Sequence, residues 1–187
     1  MKKSLRILGM IATLLAARAC AGAETPAPSE HQVKAAILCN LAKYVDWPLA
    51  SFSQTNSPLV VAVLGEDNFG DDLRRMAQDK TINGRKLLLK RLTSGEDVKS
   101  AHLLFIGASE KKRLPDILEK LRDTSVLTVG ESDAFTQLGG MINLATKDRR
   151  IRLEVNLAAA ERAHLEISSK LLRISDVVHG KPGEKAN

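Results

Sequence analysis

Three short apolar runs, each followed by a glycine, constrain this 187-residue chain more than anything else in it. Leu59–Leu64 (LVVAVL) runs into Gly65, Leu103–Ile106 (LLFI) into Gly107, and Val126–Val129 (VLTV) into Gly130. Continuous β-rich runs without polar alternation read as strands covered on both faces, the condition of a parallel sheet. Helical patterns lie between them. Asp71–Gln78 carries acids in its first turn, where they suit the helix dipole, and Ser109 stands as a cap before Glu110–Arg122. Pro115 inside that stretch predicts a kink or a late start. Strands alternating with helices predict an α/β fold, a Rossmann-like sandwich with a mostly parallel central sheet.

The remaining elements fill in around that frame. Lys86–Leu92 reads as a further strand after the Asn83-Gly84 turn, Glu96–Lys99 as a short helix or turn, and Asp133–Leu138 as a short helix. Met141–Leu144 and Ile151–Val155 read as a late antiparallel hairpin across Lys147-Asp148-Arg149. In its second strand Ile151, Leu153 and Val155 alternate with Arg152, Glu154 and Asn156, so the three polar residues share one face. That face is either a weak surface ion pair or a polar rim for a partner. Asn156 caps a helix through Arg162. Leu165–Val178 mixes helical and extended spacings and has no clean reading.

Before the first strand, Ser29 and Gln32 have the spacing of a capping box. Val33, Ile37, Leu41 and Tyr44 then recur at helical steps, with Ala35, Leu38, Cys39 and Ala42 on other sides. A helix apolar on more than one side is either sandwiched in a core or covered by a second chain. Pro48 marks its end, and the only Tyr and only Trp, Tyr44 and Trp47, stand just before it.

The amino terminus predicts export. Lys2, Lys3 and Arg6 precede an apolar stretch, Ile7–Ala17, and small residues lead to a cleavage site after Ala23; this is the pattern of a signal peptide, too short to remain as a membrane anchor. A lipoprotein acylated at Cys20 is the alternative, disfavoured by Arg18 two residues earlier. The organisation is therefore signal peptide 1–23, linker 24–28, one domain 29–178 and a polar tail 179–187. The formal charge of +6 counts Lys2, Lys3, Arg6 and Arg18, and without them 24 basic residues face 22 acidic ones, a net +2. A mild excess without clustering argues against nucleic acid. Only Cys39 would remain after cleavage, so no internal disulfide is expected.

Candidate chemistry is sparse. The three strand-end glycines, Gly65 (with Glu66), Gly107 and Gly130, sit where open α/β sheets bind ligands; equally, glycine simply permits a tight turn. Gly65-x-x-x-x-Gly70 resembles a phosphate loop, but Asp71 and Asp72 follow where Lys and Ser or Thr are required, which excludes nucleotide hydrolysis. Glu66, Asp67, Glu131 and Asp133 could converge on a cation, or be ordinary solvated acids and caps. The four histidines lack ligand spacing, and no serine lies in a nucleophile elbow. Neither a catalytic constellation nor a cofactor or metal is expected.

Three segments together resemble a known family. They are the first helix, QVKAAILCNLAKYVDWP, the strands Val60–Gly65 and Leu103–Ile106, and the C-terminal stretch from Gly139-Gly140-Met141-Ile142-Asn143 through Arg152-Leu153-Glu154-Val155-Asn156 to Ile167-Ser168-Ser169-Lys170-Leu171-Leu172. The chain resembles the YfiR/HmsC family over roughly residues 30–175. The resemblance implies a Rossmann-like, often dimeric, non-enzymatic periplasmic protein. Members bind the periplasmic region of an inner-membrane diguanylate cyclase and hold it inactive, which lowers cyclic di-GMP and biofilm formation. The alternative is a periplasmic sensor that binds a small ligand at the glycine loops. Two departures stand out. Residues 139–156 contain no cysteine, so redox control is not implied. The family's usual Tyr and Phe in the first helix are Cys39 and Leu41 here. Candidate partner or dimer contacts are then Leu38, Tyr44, Trp47, Arg152, Glu154, Asn156 and Lys170; direct membrane insertion after cleavage is not expected.

Overall fold

The structure is a computed structural model, and it describes residues 27–66, 69–93, 98–148 and 150–178. The expected signal peptide, its cleavage site and the polar tail lie outside the described residues.

Ser29 opens the first helix, α1 (Glu30–Leu41), with the reciprocal cap its sequence predicts. The Gln32 N–H donates to Ser29 Oγ at 3.2 Å, and the Ser29 N–H donates to Gln32 Oε1 at 3.0 Å. A 3-10 turn extends the helix to Tyr44. It stops there, ahead of Pro48, because β1 (Val45–Asp46) pairs antiparallel with β9 (Glu166–Ile167). A distant ribbon ends this helix before the proline can.

The main sheet contains β2 (Leu59–Leu64), β3 (Thr81–Ile82), β4 (Arg85–Leu92), β5 (Leu103–Ile106), β6 (Leu127–Gly130), β7 (Ile142–Lys147), β8 (Arg150–Asn156) and β10 (Asp176–Val178). Their order is β10-β8-β7-β6-β5-β2-β4-β3. Pairing is parallel except for the β3–β4 and β7–β8 pairs. The expected mostly parallel sheet with a late antiparallel hairpin is what the chain forms.

Alternate residues of the central strands divide between two cores. Val61, Val63, Leu103, Phe105, Leu127 and Val129 face α1, α2 (Gly70–Ala77) and α4 (Leu157–Arg162). Ala62, Leu64, Leu104 and Ile106 face the other way, under Leu114, Ile117, Leu118 and Leu121 of α3 (Leu114–Leu121). The absence of polar alternation in β2 and β5 is the direct consequence. Every residue of both strands is buried.

Four local expectations change. The helix after Ser109 begins at Leu114, with Pro115 in its first turn, so the late start holds and the kink does not. Ser109 is no cap for it; its hydroxyl accepts from the Glu66 N–H at 2.9 Å, tying two strand-end loops. Asp133–Leu138 forms successive turns instead of a helix. Ala134 takes a positive φ of 64°, which lets Phe135 drop onto the sheet. The ambiguous Leu165–Val178 resolves into β9, a single helical turn α5 (Ser169–Leu172) and the edge strand β10.

Candidate interaction site

The sheet does bring the three strand-end glycines into a row. Leu64 lies beside Ile106 and Ile106 beside Gly130, so the carboxyl ends of β2, β5 and β6 are level. The chain then fills the space next to each glycine. A β-carbon at Gly65 would lie 2.6 Å from Ser109 Oγ, one at Gly107 2.3 Å from the Glu66 carbonyl oxygen, and one at Gly130 2.3 Å from the Phe135 ring. Gly65 also needs its φ of +83°. These glycines admit loop backbone and an aromatic ring, so close packing accounts for Gly65, Gly107 and Gly130, the second of the two expected readings. Glu66 is exposed, and its backbone is used in the Ser109 link.

The cation reading meets a different obstacle. Glu131 accepts from Lys34 at 2.9 Å, and Lys34 also meets Glu30 at 2.8 Å. Lys34 is itself buried on α1, and its two carboxylate partners hold its pKa above the ordinary lysine value despite burial. A lysine already neutralises this acid. Among the described residues no group of three metal-ligating side chains comes together, and Asp67 lies outside them.

On α1 the buried apolar residues are Ala35, Leu38, Cys39 and Leu41, joined by Ala42 in the turn that follows, while Val33 and Ile37 are half-buried. Leu38 is 0% exposed. It is corrected from a contact residue to a core residue, since in this fold it offers no surface. Cys39 is equally enclosed, and burial raises its pKa, against thiolate chemistry.

Tyr44 and Trp47 are half-buried at the end of that helix. The Tyr44 carbonyl accepts from the Ser168 N–H at 2.8 Å, which brings it near the exposed Lys170. Trp47 Nε1 donates to the His102 carbonyl at 3.1 Å. His102 is a residue that spacing arguments passed over. Its Nδ1 accepts from the Val60 N–H at 3.0 Å, its Nε2 lies 3.1 Å from the Ser51 carbonyl, and Phe52 stacks on the ring at 4.4 Å. Burial holds His102 below the ordinary histidine pKa, and the nearby Arg85 charge adds to that against the Ser51 bond. The neutral tautomer therefore pins the 47–52 loop to the amino ends of β2 and β5. A cavity of about 270 Å³ beside it is lined by Pro48, Ser51, Lys99 and Val126 among others.

In the hairpin the three polar residues of β8 have separate fates. Asn156 is 2% exposed; its Oδ1 caps α4 by accepting from the Ala159 N–H and its Nδ2 donates to the Thr136 carbonyl. The cap expected from the sequence is present, and burial takes Asn156 out of the expected polar rim. Glu154 pairs with Lys147 at 2.8 Å and accepts from Asn143 Nδ2 at 3.0 Å, not with Arg152. These two partners, Lys147 first, hold its pKa below the ordinary carboxylate value. Arg152 is exposed on the same face. Of the residues singled out for contact, Arg152 and Lys170 present surface fully, and Tyr44, Trp47 and Glu154 in part.

Among the described residues, no helix is long and apolar enough to cross a membrane. Two solved structures resemble the fold. One is a conserved domain protein from Vibrio cholerae, with a TM-score of 0.53 and 11% identity over 80% of this chain and 60% of that one. The other is an ABC domain from Streptococcus pneumonia in complex with L-Trp, with a TM-score of 0.50 and 10% identity over 79% of this chain and 60% of that one. The chain thus spans about 60% of each neighbour's length, and at such identity the likeness concerns fold alone. The profile of a regulatory family, described as YfiR/HmsC-like, matches residues 31–176. With nearly the whole described domain inside that match, the chain belongs to the YfiR/HmsC-like family.

Proposed function

We propose that this protein is a non-catalytic periplasmic regulator that binds the periplasmic region of an inner-membrane diguanylate cyclase and holds it inactive, lowering cyclic di-GMP and biofilm formation. Family membership across residues 31–176 carries the reading. The geometry supports it indirectly, because the places where an α/β sheet usually binds small ligands are packed with the chain's own Phe135, Ser109 and Glu66. What remains available is surface. The same packing weighs against a sensor that uses the glycine loops.

Repression by binding requires only that the protein prefer the inactive cyclase conformation. Holding ~99% of an otherwise active partner inactive takes a preference of roughly 2.7 kcal/mol, on the order of a hundredfold in affinity. Deleting the gene should raise cyclic di-GMP and surface attachment, and complementation should reverse both. Unchanged levels of both in the deletion strain would sink the reading.

A further inference from the structure

The two faces of the sheet are not covered to the same extent, and the difference falls where the arginines change their behaviour. The apolar cluster beneath α3 includes residues of β2, β5 and the β6 region but none of β7, β8 or β10. On that uncovered side lie Ala145, Lys147, Arg150, Arg152 and Glu154, paired across the hairpin as Ala145–Arg152 and Lys147–Arg150. Lys147 and Glu154 neutralise one another. Arg150 and Arg152 are exposed, and among the described residues neither side chain has a hydrogen-bond or ion-pair partner.

Arginines earlier in the domain are treated differently. Arg74, Arg75, Arg113 and Arg122 each pair with an acid three residues earlier. Arg85 stacks on Phe52 and donates to the Ser57 carbonyl, and Arg91 donates to the Gly70 carbonyl. A solvent-facing antiparallel sheet tolerates charges, so exposure alone says little. Two adjacent guanidinium groups left open here, with Lys147 against Glu154 and Asp176, whose register beside Glu154 puts it on the same face, leave the face positive by one charge. They stand two residues apart on one strand, roughly 7 Å, the repeat of alternate side chains in an extended peptide. Ala145 opposite Arg152 leaves a low spot between them and the rest of the sheet.

We infer that the bare face of β7 and β8, with Arg150 and Arg152 at its centre, is the docking surface for an extended acidic segment of the partner protein. Carboxylates at alternate positions of that segment meet the two guanidinium forks, which match carboxylate geometry bidentately. The inference rests on the cyclase reading above and names the surface and the partner chemistry it uses.

The test compares full-length wild type, Arg150→Glu/Arg152→Glu, and the charge-matched control Lys111→Glu/Lys112→Glu, whose residues are exposed in the turn before α3. Binding to the purified periplasmic region of the cyclase is measured at two salt concentrations. The expected result is at least a thirtyfold loss of affinity for the β8 variant, little loss for the control, and a salt dependence weaker in the variant than in wild type. Melting temperatures of all three should agree within a few degrees, so lost binding cannot be assigned to lost folding. Equal losses in both variants, or none in the β8 variant, overturn the surface and leave the cyclase reading standing. A wild type that does not bind the cyclase region overturns both.

Discussion

The middle of the sheet and its hairpin end are built on different rules. In β2, β5 and β6 every residue is buried and both faces carry an apolar layer. In β8 only the last two residues are buried, one face is bare, and a charged pair takes the place of a second core. Stability is concentrated in the first region, where removing apolar atoms leaves cavities. The second region can change its surface chemistry at little cost. A regulator that must keep its fold while its contacts vary benefits from that separation.

Substitutions that respect or violate this division test it, and the largest effect belongs to the layer over the sheet's middle. Leu38→Ala should destabilise the protein by about 3 kcal/mol, read from denaturant midpoints at constant m-value. Leu38→Glu should fail to fold, because its carboxylate would have no partner in that core. A folded Leu38→Glu protein deficient only in binding would return that residue to the surface and break the comparison.

Gly130→Ala comes next. The added methyl overlaps Phe135, and overpacking of this kind costs about 2 kcal/mol. Combining it with Phe135→Leu should recover part of the loss, and failure to recover any would mean that the ring is not what fills the strand end.

A smaller, pH-dependent effect is expected at His102. Its folded pKa is depressed, so as pH falls below about 6.5 the unfolded chain takes up the proton first. Stability should be level above that point and decline as pH drops toward the folded pKa. His102→Gln should flatten this part of the profile; a variant with the wild-type slope would assign the titration elsewhere.

Smallest of all, Arg150→Ala/Arg152→Ala should change stability by no more than about 0.5 kcal/mol, since both side chains are exposed and have no partner among the described residues. A loss beyond 1 kcal/mol would show the hairpin face to be structural and erase the contrast between the two regions.

Legibility from sequence follows the same division. The central strands could be read because burial on both faces leaves continuous apolar runs, and the capping box at Ser29 because its chemistry is local. The candidate contacts were harder. Leu38 looks like a surface choice until α1 is seen lying on the sheet, and Asn156, legible as a cap, does not show by its spacing that it is buried. No spacing rule finds His102, whose partners come from Ser51 and Val60, or Lys34, whose acid lies 97 residues away.

Sequence alone thus settles the α/β class, the buried strands, the first helix's start and the family resemblance, all of which depend on neighbours within a few positions or on a long shared pattern. Tertiary packing settles the rest. On a helix apolar all round, periodicity does not choose the buried face; the sheet beneath α1 chooses it. Three glycines after three strands do not say whether a ligand or a side chain approaches them, and Phe135 answers only once Ala134 turns it inward. The surface that remains open, around Arg150 and Arg152, exists because α3 reaches across β2 and β5 and no further.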